Sequence, residues 1–540
     1  MAGDSTALDI RGETVVAQLS MNGARALVQT LIDAGVDVCF ANPGTSEMHF
    51  VAALDEVPAM RGVLALFEGV ATGAADGYAR MTGRPAAVLL HLGPGMANGL
   101  ANLHNARRAR SPVLAIVGDH ATHHKRFDAP LESDIETMAR GVSGWFRASR
   151  KSRDLAGDAA DAVAAALAAP GQVATLVLPA DVSWSDGAAV AAPRPRPVAV
   201  AVPEAVLADI AAALTSGEPA VVFLGGRALR ERGLRAAARI AAATGAVLIC
   251  ETFPARLERG AGLPVVSRLP YFAEQATAKL APYRHAILVD AAEPVSFFAY
   301  PGKASELLPA GCKTHRLAGG ADDVAGALVA LADRLGATQV PPVAAAHRPA
   351  LPSGSGPLTT EAVALALGAL MPDNAIISDE AHTSGASLGA ATGGAPRHDW
   401  LTLTGGSIGD GLPVAVGAAV ACPGRKVICL ESDGSAMYTL QSLWTMVRER
   451  LDVTTIIFNN GAYAVLRLEL ARVGAGARGP KADDMLSLAR PAIDFVSLAR
   501  GMGMSAGRTT TIDEFVAELQ RALATPGPYL IEAVVPPVVG

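Results

Sequence analysis

Short, mainly apolar runs recur along the chain, at 87–90, 113–117, 221–224, 246–250, 427–430 and 454–458, the last opened by two threonines. They lack the alternation of a half-exposed strand, so they predict strands buried on both faces, the pattern of parallel sheets. Between them lie longer stretches rich in alanine with helical spacing, and strand–helix alternation of this kind predicts doubly wound α/β architecture. Two stretches, 187–203 and 337–357, stack proline and small residues without either period and read as linkers. The pattern therefore predicts three α/β domains with doubly wound parallel sheets, over 1–187, 204–337 and 358–540.

Composition agrees with several packed cores. The 540 residues are 51% apolar, 18% charged and only 4% aromatic, and a chain this long exceeds the roughly 250–300 residues that one core supports. A net charge of −6 with scattered basic residues lacks the footprint of a nucleic-acid binder. The densest basic cluster, Arg107, Arg108 and Arg110, reads as a solvated helix end. Five cysteines at irregular spacing form neither a disulfide framework nor a zinc site, which points to a reducing, cytoplasmic setting. Asp4, Asp9 and Glu13 speak against a secretory signal, and no apolar stretch reaches the ~20 residues of a membrane span, so no membrane segment is expected.

The chemistry concentrates in the third segment. Asp433 follows the run at 427–430, and Asn460 follows the run at 454–458. Neighbouring parallel strands would bring both to one carboxyl edge. Magnesium takes oxygen ligands in an octahedron and usually only one or two carboxylates, completing its shell from phosphates and water. Asp433, the Asn460 amide oxygen and a backbone carbonyl just beyond, with two diphosphate oxygens and a water, would fit that demand. In the first segment, Glu68 stands among apolar residues at an expected helix start, where a carboxyl can share a proton with a ring nitrogen at neutral pH. The stretch from His91 through Gly93, Pro94 and Gly95 to Gly99, with Asp119 further on, approaches a dinucleotide fingerprint. Pro94 removes an N–H from that loop and Asn98 replaces the third glycine, so nicotinamide binding is not expected.

Ser432-Asp433-Gly434 with Asn459-Asn460 resembles the magnesium–diphosphate motif of thiamine diphosphate enzymes, with Ser432 for the first glycine. Glu68, followed by Ala75-Asp76-Gly77-Tyr78-Ala79, is similar to their glutamate that contacts the aminopyrimidine ring and promotes cofactor activation. The resemblance spans nearly the whole chain and points to the branch of benzoylformate decarboxylase and acetolactate synthase. It implies a pyrimidine-binding first domain, a non-catalytic middle domain and a diphosphate-binding third domain. Thr45 in Asn42-Pro43-Gly44-Thr45 matches a serine that benzoylformate decarboxylase uses on the substrate carboxylate, and His91 matches one of its two active-site histidines. The second would fall near Phe297 or Phe298, where no histidine stands.

The same resemblance assigns cofactor contacts to His382, Thr383, the Gly406 carbonyl, the wedge residue Ile408, Gly434, Ser435 and Tyr463, and magnesium to Asp433, Asn460 and Ala462. Ser435 would present its hydroxyl and N–H to the diphosphate at the start of a helix running to about Arg450. Phe297 and Leu466 would help line the substrate pocket, and 473–484 reads equally as a mobile flap or a surface loop. His123 and His124 are similar to the histidine pair of pyruvate decarboxylases but read here as a solvated loop. The implied function is a thiamine diphosphate- and magnesium-dependent decarboxylase of a 2-oxo acid with carboligase capability. An acetolactate synthase or a 2-hydroxyacyl lyase is the second reading, and an inactive cofactor-binding homologue with a structural or regulatory role is the third. Substrates would be small 2-oxo acids or aldehydes, in a homodimer or homotetramer whose chains share each site. Flavin binding by the middle domain stays open.

Overall fold

The computed structural model describes residues 21–474 and 479–536. The acidic start of the chain and residues 475–478 of the stretch read as a flap lie outside the described residues.

The apolar runs form the cores of three sheets. Six parallel strands make the first, in the order Arg61–Leu64, Val38–Ala41, Ala86–Leu90, Val113–Asp119, Val173–Pro179, Trp145–Ala148. Five parallel strands make the second, in the order Ser267–Arg268, Val247–Cys250, Ala220–Leu224, His285–Val289, Lys313–Ala318. The third holds Ser505–Thr509, Tyr529–Val534, Val453–Asn459, Val427–Ser432, Ile376–Glu380 and His398–Thr402 in parallel. Its edge is closed by Leu257–Arg259, a strand from the middle segment that pairs antiparallel with His398–Trp400. Helices cover the sheets as the doubly wound pattern requires.

The first and third segments meet through the helices Glu68–Thr82 and Gly411–Ala421, both almost wholly buried. Their backbones touch because glycines face one another's partners. A Cβ at Gly77 would lie 2.2 Å from the Val414 carbonyl oxygen, and one at Gly417 would lie 1.8 Å from the Ala74 carbonyl oxygen. Within the first of these helices Arg80 forms a buried ion pair with Asp76, and its Nη1 reaches across to donate to the Thr402 carbonyl at 2.7 Å. Because the opposing atoms at Gly417 are backbone, Gly417→Val cannot be absorbed by a rotamer change. We expect it to cost at least the ~1–3 kcal/mol typical of overpacking, read as a lowered denaturant midpoint. Gly501→Ala, with nothing within 4 Å of the added carbon, should leave that midpoint unchanged. Equal midpoints for both variants would overturn this account of the interface.

Arg107 and Arg108 are exposed at the helix end, as expected, and Arg110 beside them is half-buried: its Nη1 donates to the Asp290 carbonyl and carboxylate at 3.2 and 3.1 Å. A fold that seats the middle sheet's edge beside it supplies the partner. The tail of the stretch read as a flap, Pro480–Met485, is helical, with proline at its first position.

Candidate active site

Three neighbouring strands of the first sheet deliver the first half of the site. Val38–Ala41 pairs with both Arg61–Leu64 and Ala86–Leu90. Their carboxyl ends lead into the turn Thr45–Glu47, the helix starting at Glu68, and His91. Glu68 is 6% exposed, and its Oε2 accepts from Asn98 Nδ2 at 3.0 Å. The glycines after His91 lie on the helix Leu92–Ala109, and Gly95 faces this carboxyl: a Cβ there would lie 3.3 Å from Glu68 Oε1. Thr45 is exposed at the lip of the same edge. His91 Nδ1 lies 2.9 Å from Glu47 Oε2 and 3.4 Å from Ser46 Oγ. Glu47 and Ser46 escaped the sequence reading, since a turn acid ordinarily reads as solvated. The only available signal was their place directly after Thr45.

The second half lies on the third sheet. Val427–Ser432 and Val453–Asn459 pair in parallel, so Asp433 and Asn460 emerge side by side. Asp433 is 2% exposed. Its Oδ1 accepts from the Gly434 N–H at 2.8 Å and its Oδ2 from the Gly461 N–H at 2.7 Å. Asn460 Oδ1 accepts from the Ala462 N–H at 3.0 Å. Burial pushes the Asp433 carboxyl above the ordinary carboxylate value, and the N–H groups of residues 460–462 and 434 pull it partly back. A cation beside it would offset the burial. Gly434 is required by the Tyr463 ring, which a Cβ would approach to 2.5 Å.

The long helix expected after Asp433 is instead a single turn, Asp433–Ala436, followed by Ser442–Arg448. Thr439 Oγ1 donates to the Gly409 carbonyl at 3.0 Å and draws the chain off the helical path. Ser435 is buried at this turn. His382 and Thr383 sit on the 3₁₀ turn His382–Gly385, with His382 at φ 47°. Gly406, at φ 74°, and Ile408 lie in the loop after His398–Thr402. That loop is held to the first domain by Asn105 Nδ2 on the Ser407 carbonyl at 2.8 Å. Phe297 packs beside it, 3.5 Å from a Cβ placed on Gly406, with Phe253 and Tyr271 at centroid distances of 5.3 and 5.1 Å. Leu466 is 46% exposed on the helix Ala464–Arg472. His123 is solvated, its side chain 70% exposed.

Among the described residues no three His, Cys, Asp or Glu side chains form a metal cage. One carboxylate, one amide and a backbone carbonyl instead suit a hard cation that completes its shell from a ligand's phosphates. Among the described residues, moreover, no hydrogen bond or ion pair joins Thr45, Glu47, Glu68 or His91 to Asp433, Asn460 or Leu466.

Comparison with known proteins decides the family. Residues 21–139 match the thiamine pyrophosphate enzyme, N-terminal TPP binding domain, and residues 382–533 match the C-terminal TPP binding domain. The chain belongs to the thiamine pyrophosphate enzymes. It is 61% identical over 523 residues to a Mycobacterium tuberculosis protein named "Putative acetolactate synthase large subunit IlvX", covering 96% of this chain and 100% of that one. It is 30% identical to a benzoylformate decarboxylase of Pseudomonas aeruginosa, over 92% and 96% of the two chains. The solved structure of a Rhodococcus jostii 4-hydroxybenzoylformate decarboxylase superposes with a TM-score of 0.83 at 25% identity, covering 96% of this chain and 99% of that one. This thiamine pyrophosphate enzyme therefore lies in the decarboxylase and acetolactate synthase branch, as a carbon–carbon lyase or ligase. Its two matched stretches contain the two halves of the site. No helix among the described residues is long and apolar enough to cross a membrane.

Proposed function

We propose that this enzyme is a magnesium-dependent, non-oxidative decarboxylase of a 2-oxo acid that can also join the product fragment to an aldehyde, similar to benzoylformate decarboxylase. The observation that carries this reading is the pairing of His91 with the buried Glu47 at 2.9 Å, beside Thr45 and Glu68 on one sheet edge. A hydroxyl and an imidazole there suit a substrate carboxylate and the proton delivered to the product.

Thiamine diphosphate, when bound, supplies a carbon nucleophile and an electron sink for breaking or making a bond next to a carbonyl. Glu68 would hold and move the proton at the aminopyrimidine, with the Gly406 carbonyl and Ile408 against that ring. Asp433, Asn460 and the Ala462 carbonyl would hold magnesium. Ser435, Gly434, His382, Thr383 and Tyr463 would hold the diphosphate. As the family resemblance implies, a second copy of the chain completes the site, in a homodimer or homotetramer. Free cysteines, three of them buried, suit a reducing cytoplasm.

Phe297 and the name of the 61% identical relative favour a second reading, an acetolactate synthase-like or 2-hydroxyacyl lyase carboligase. With an aromatic ring at Phe297 where a second histidine would stand, that wall offers no imidazole to protonate a product. The test is a donor and acceptor panel of pyruvate, benzoylformate and branched 2-oxo acids, with and without aldehydes, followed by product identification. Aldehyde and carbon dioxide from one donor are expected. A 2-hydroxy ketone in place of free aldehyde, formed with an added aldehyde or with a second molecule of the 2-oxo acid, would replace the first reading with the second.

A further inference from the structure

Glu47 is a fully buried carboxylate, 0% exposed, in a turn at the rim of the first sheet. An acid in such a place requires partners, because an uncompensated buried charge is costly. It has three: the Gly44 N–H donates to Oε2 at 2.8 Å, the Ser46 hydroxyl donates to Oε1, and His91 Nδ1 lies 2.9 Å from Oε2. Its slot exists because the strand Val113–Asp119, on the far side of Ala86–Leu90, carries Gly118, where a Cβ would lie 1.6 Å from Glu47 Oε1. The His91 ring rests on Gly44, where a Cβ would come within 2.2 Å of Cγ and Nδ1. One carboxylate thus ties the turn after Val38–Ala41 to the residue after Ala86–Leu90.

Resting on the function proposed above, we infer that Glu47 is the positioning residue of this site. It fixes the His91 ring and its tautomer, with the proton on Nδ1 and Nε2 left open to the substrate. An ionised carboxylate only accepts hydrogen bonds, so the nitrogen facing it must carry a proton. The two other donors keep the carboxylate from rotating away. The same bonds set the height of the turn that carries Thr45, so the hydroxyl and imidazole are placed as a unit.

The test uses the full-length holoenzyme with thiamine diphosphate and magnesium. Nitrogen NMR of ring-labelled histidine, with His91 assigned from a His91→Gln sample, reads the tautomer without any substrate. The wild type should show His91 protonated at Nδ1. In Glu47→Gln, where the amide can offer either oxygen or NH₂, that population should fall. The value of kcat/KM on the best donor of the panel should drop about 10²-fold, while calorimetric affinity for thiamine diphosphate stays unchanged. Gly118→Ala, which crowds the carboxylate from its slot, should reproduce the tautomer change. A wild-type His91 protonated at Nε2 overturns the inference, and so does a Glu47→Gln enzyme with unaltered ring signals. Should the donor panel fail while the tautomer results hold, the reaction assignment falls and the positioning role stands.

Discussion

Glu68→Gln is expected to abolish turnover while leaving the fold intact. Glutamine keeps the volume of the side chain in a site where Glu68 is 6% exposed and holds Asn98 at 3.0 Å. It removes the one property the site needs, a group that gains and loses a proton. General acid–base groups contribute typically 10²–10⁴-fold, and a step on which every turnover depends should suffer the upper part of that range. The measurement is steady-state kcat on any active donor, alongside thermal unfolding to show an unchanged core. A Glu68→Gln enzyme with full activity would falsify the role given to this carboxyl. A Gly95→Ala variant offers a graded comparison, since its methyl group would crowd Glu68 Oε1 at 3.3 Å without changing the charge.

The second large effect is expected at Asp433. Asp433→Ala deletes the acceptor for the Gly434 and Gly461 N–H groups and the only carboxylate of the proposed magnesium set. Leaving a buried donor unsatisfied costs about 1–3 kcal/mol, and the metal loses its charged ligand as well. Isothermal calorimetry should show thiamine diphosphate affinity weakened by at least about 10²-fold, as loss of ~3 kcal/mol implies. In the wild type, omitting magnesium should weaken binding comparably. In the variant, magnesium should make little further difference. Undiminished, magnesium-dependent binding by Asp433→Ala would remove Asp433 from the metal site.

Much of this was legible before any fold was known. The run at 87–90 is buried at every position, as an unbroken apolar strand must be inside a doubly wound sheet. Asp433 and Asn460 each follow a buried strand, and those strands are direct neighbours. Other features left no local trace. Nothing in the sequence around 257–259 says that this strand leaves its own segment to close the third sheet. Helical propensity after Asp433 gave no warning that Thr439 would be captured by Gly409.

Strand and helix periods and short motifs are local properties of the chain, so the residues alone carried most of the strands, the α/β class and the cofactor class. Which polar groups are buried and what they touch follows only from the folded chain. Glu47 becomes a buried partner of His91 only when Gly118, on another strand, leaves it a slot. The helices of Glu68 and Gly411 meet at backbone distance only because Gly77 and Gly417, far apart in the chain, arrive at one crossing. Both depend on empty space opposite a missing side chain, and that space is defined by two distant segments at once.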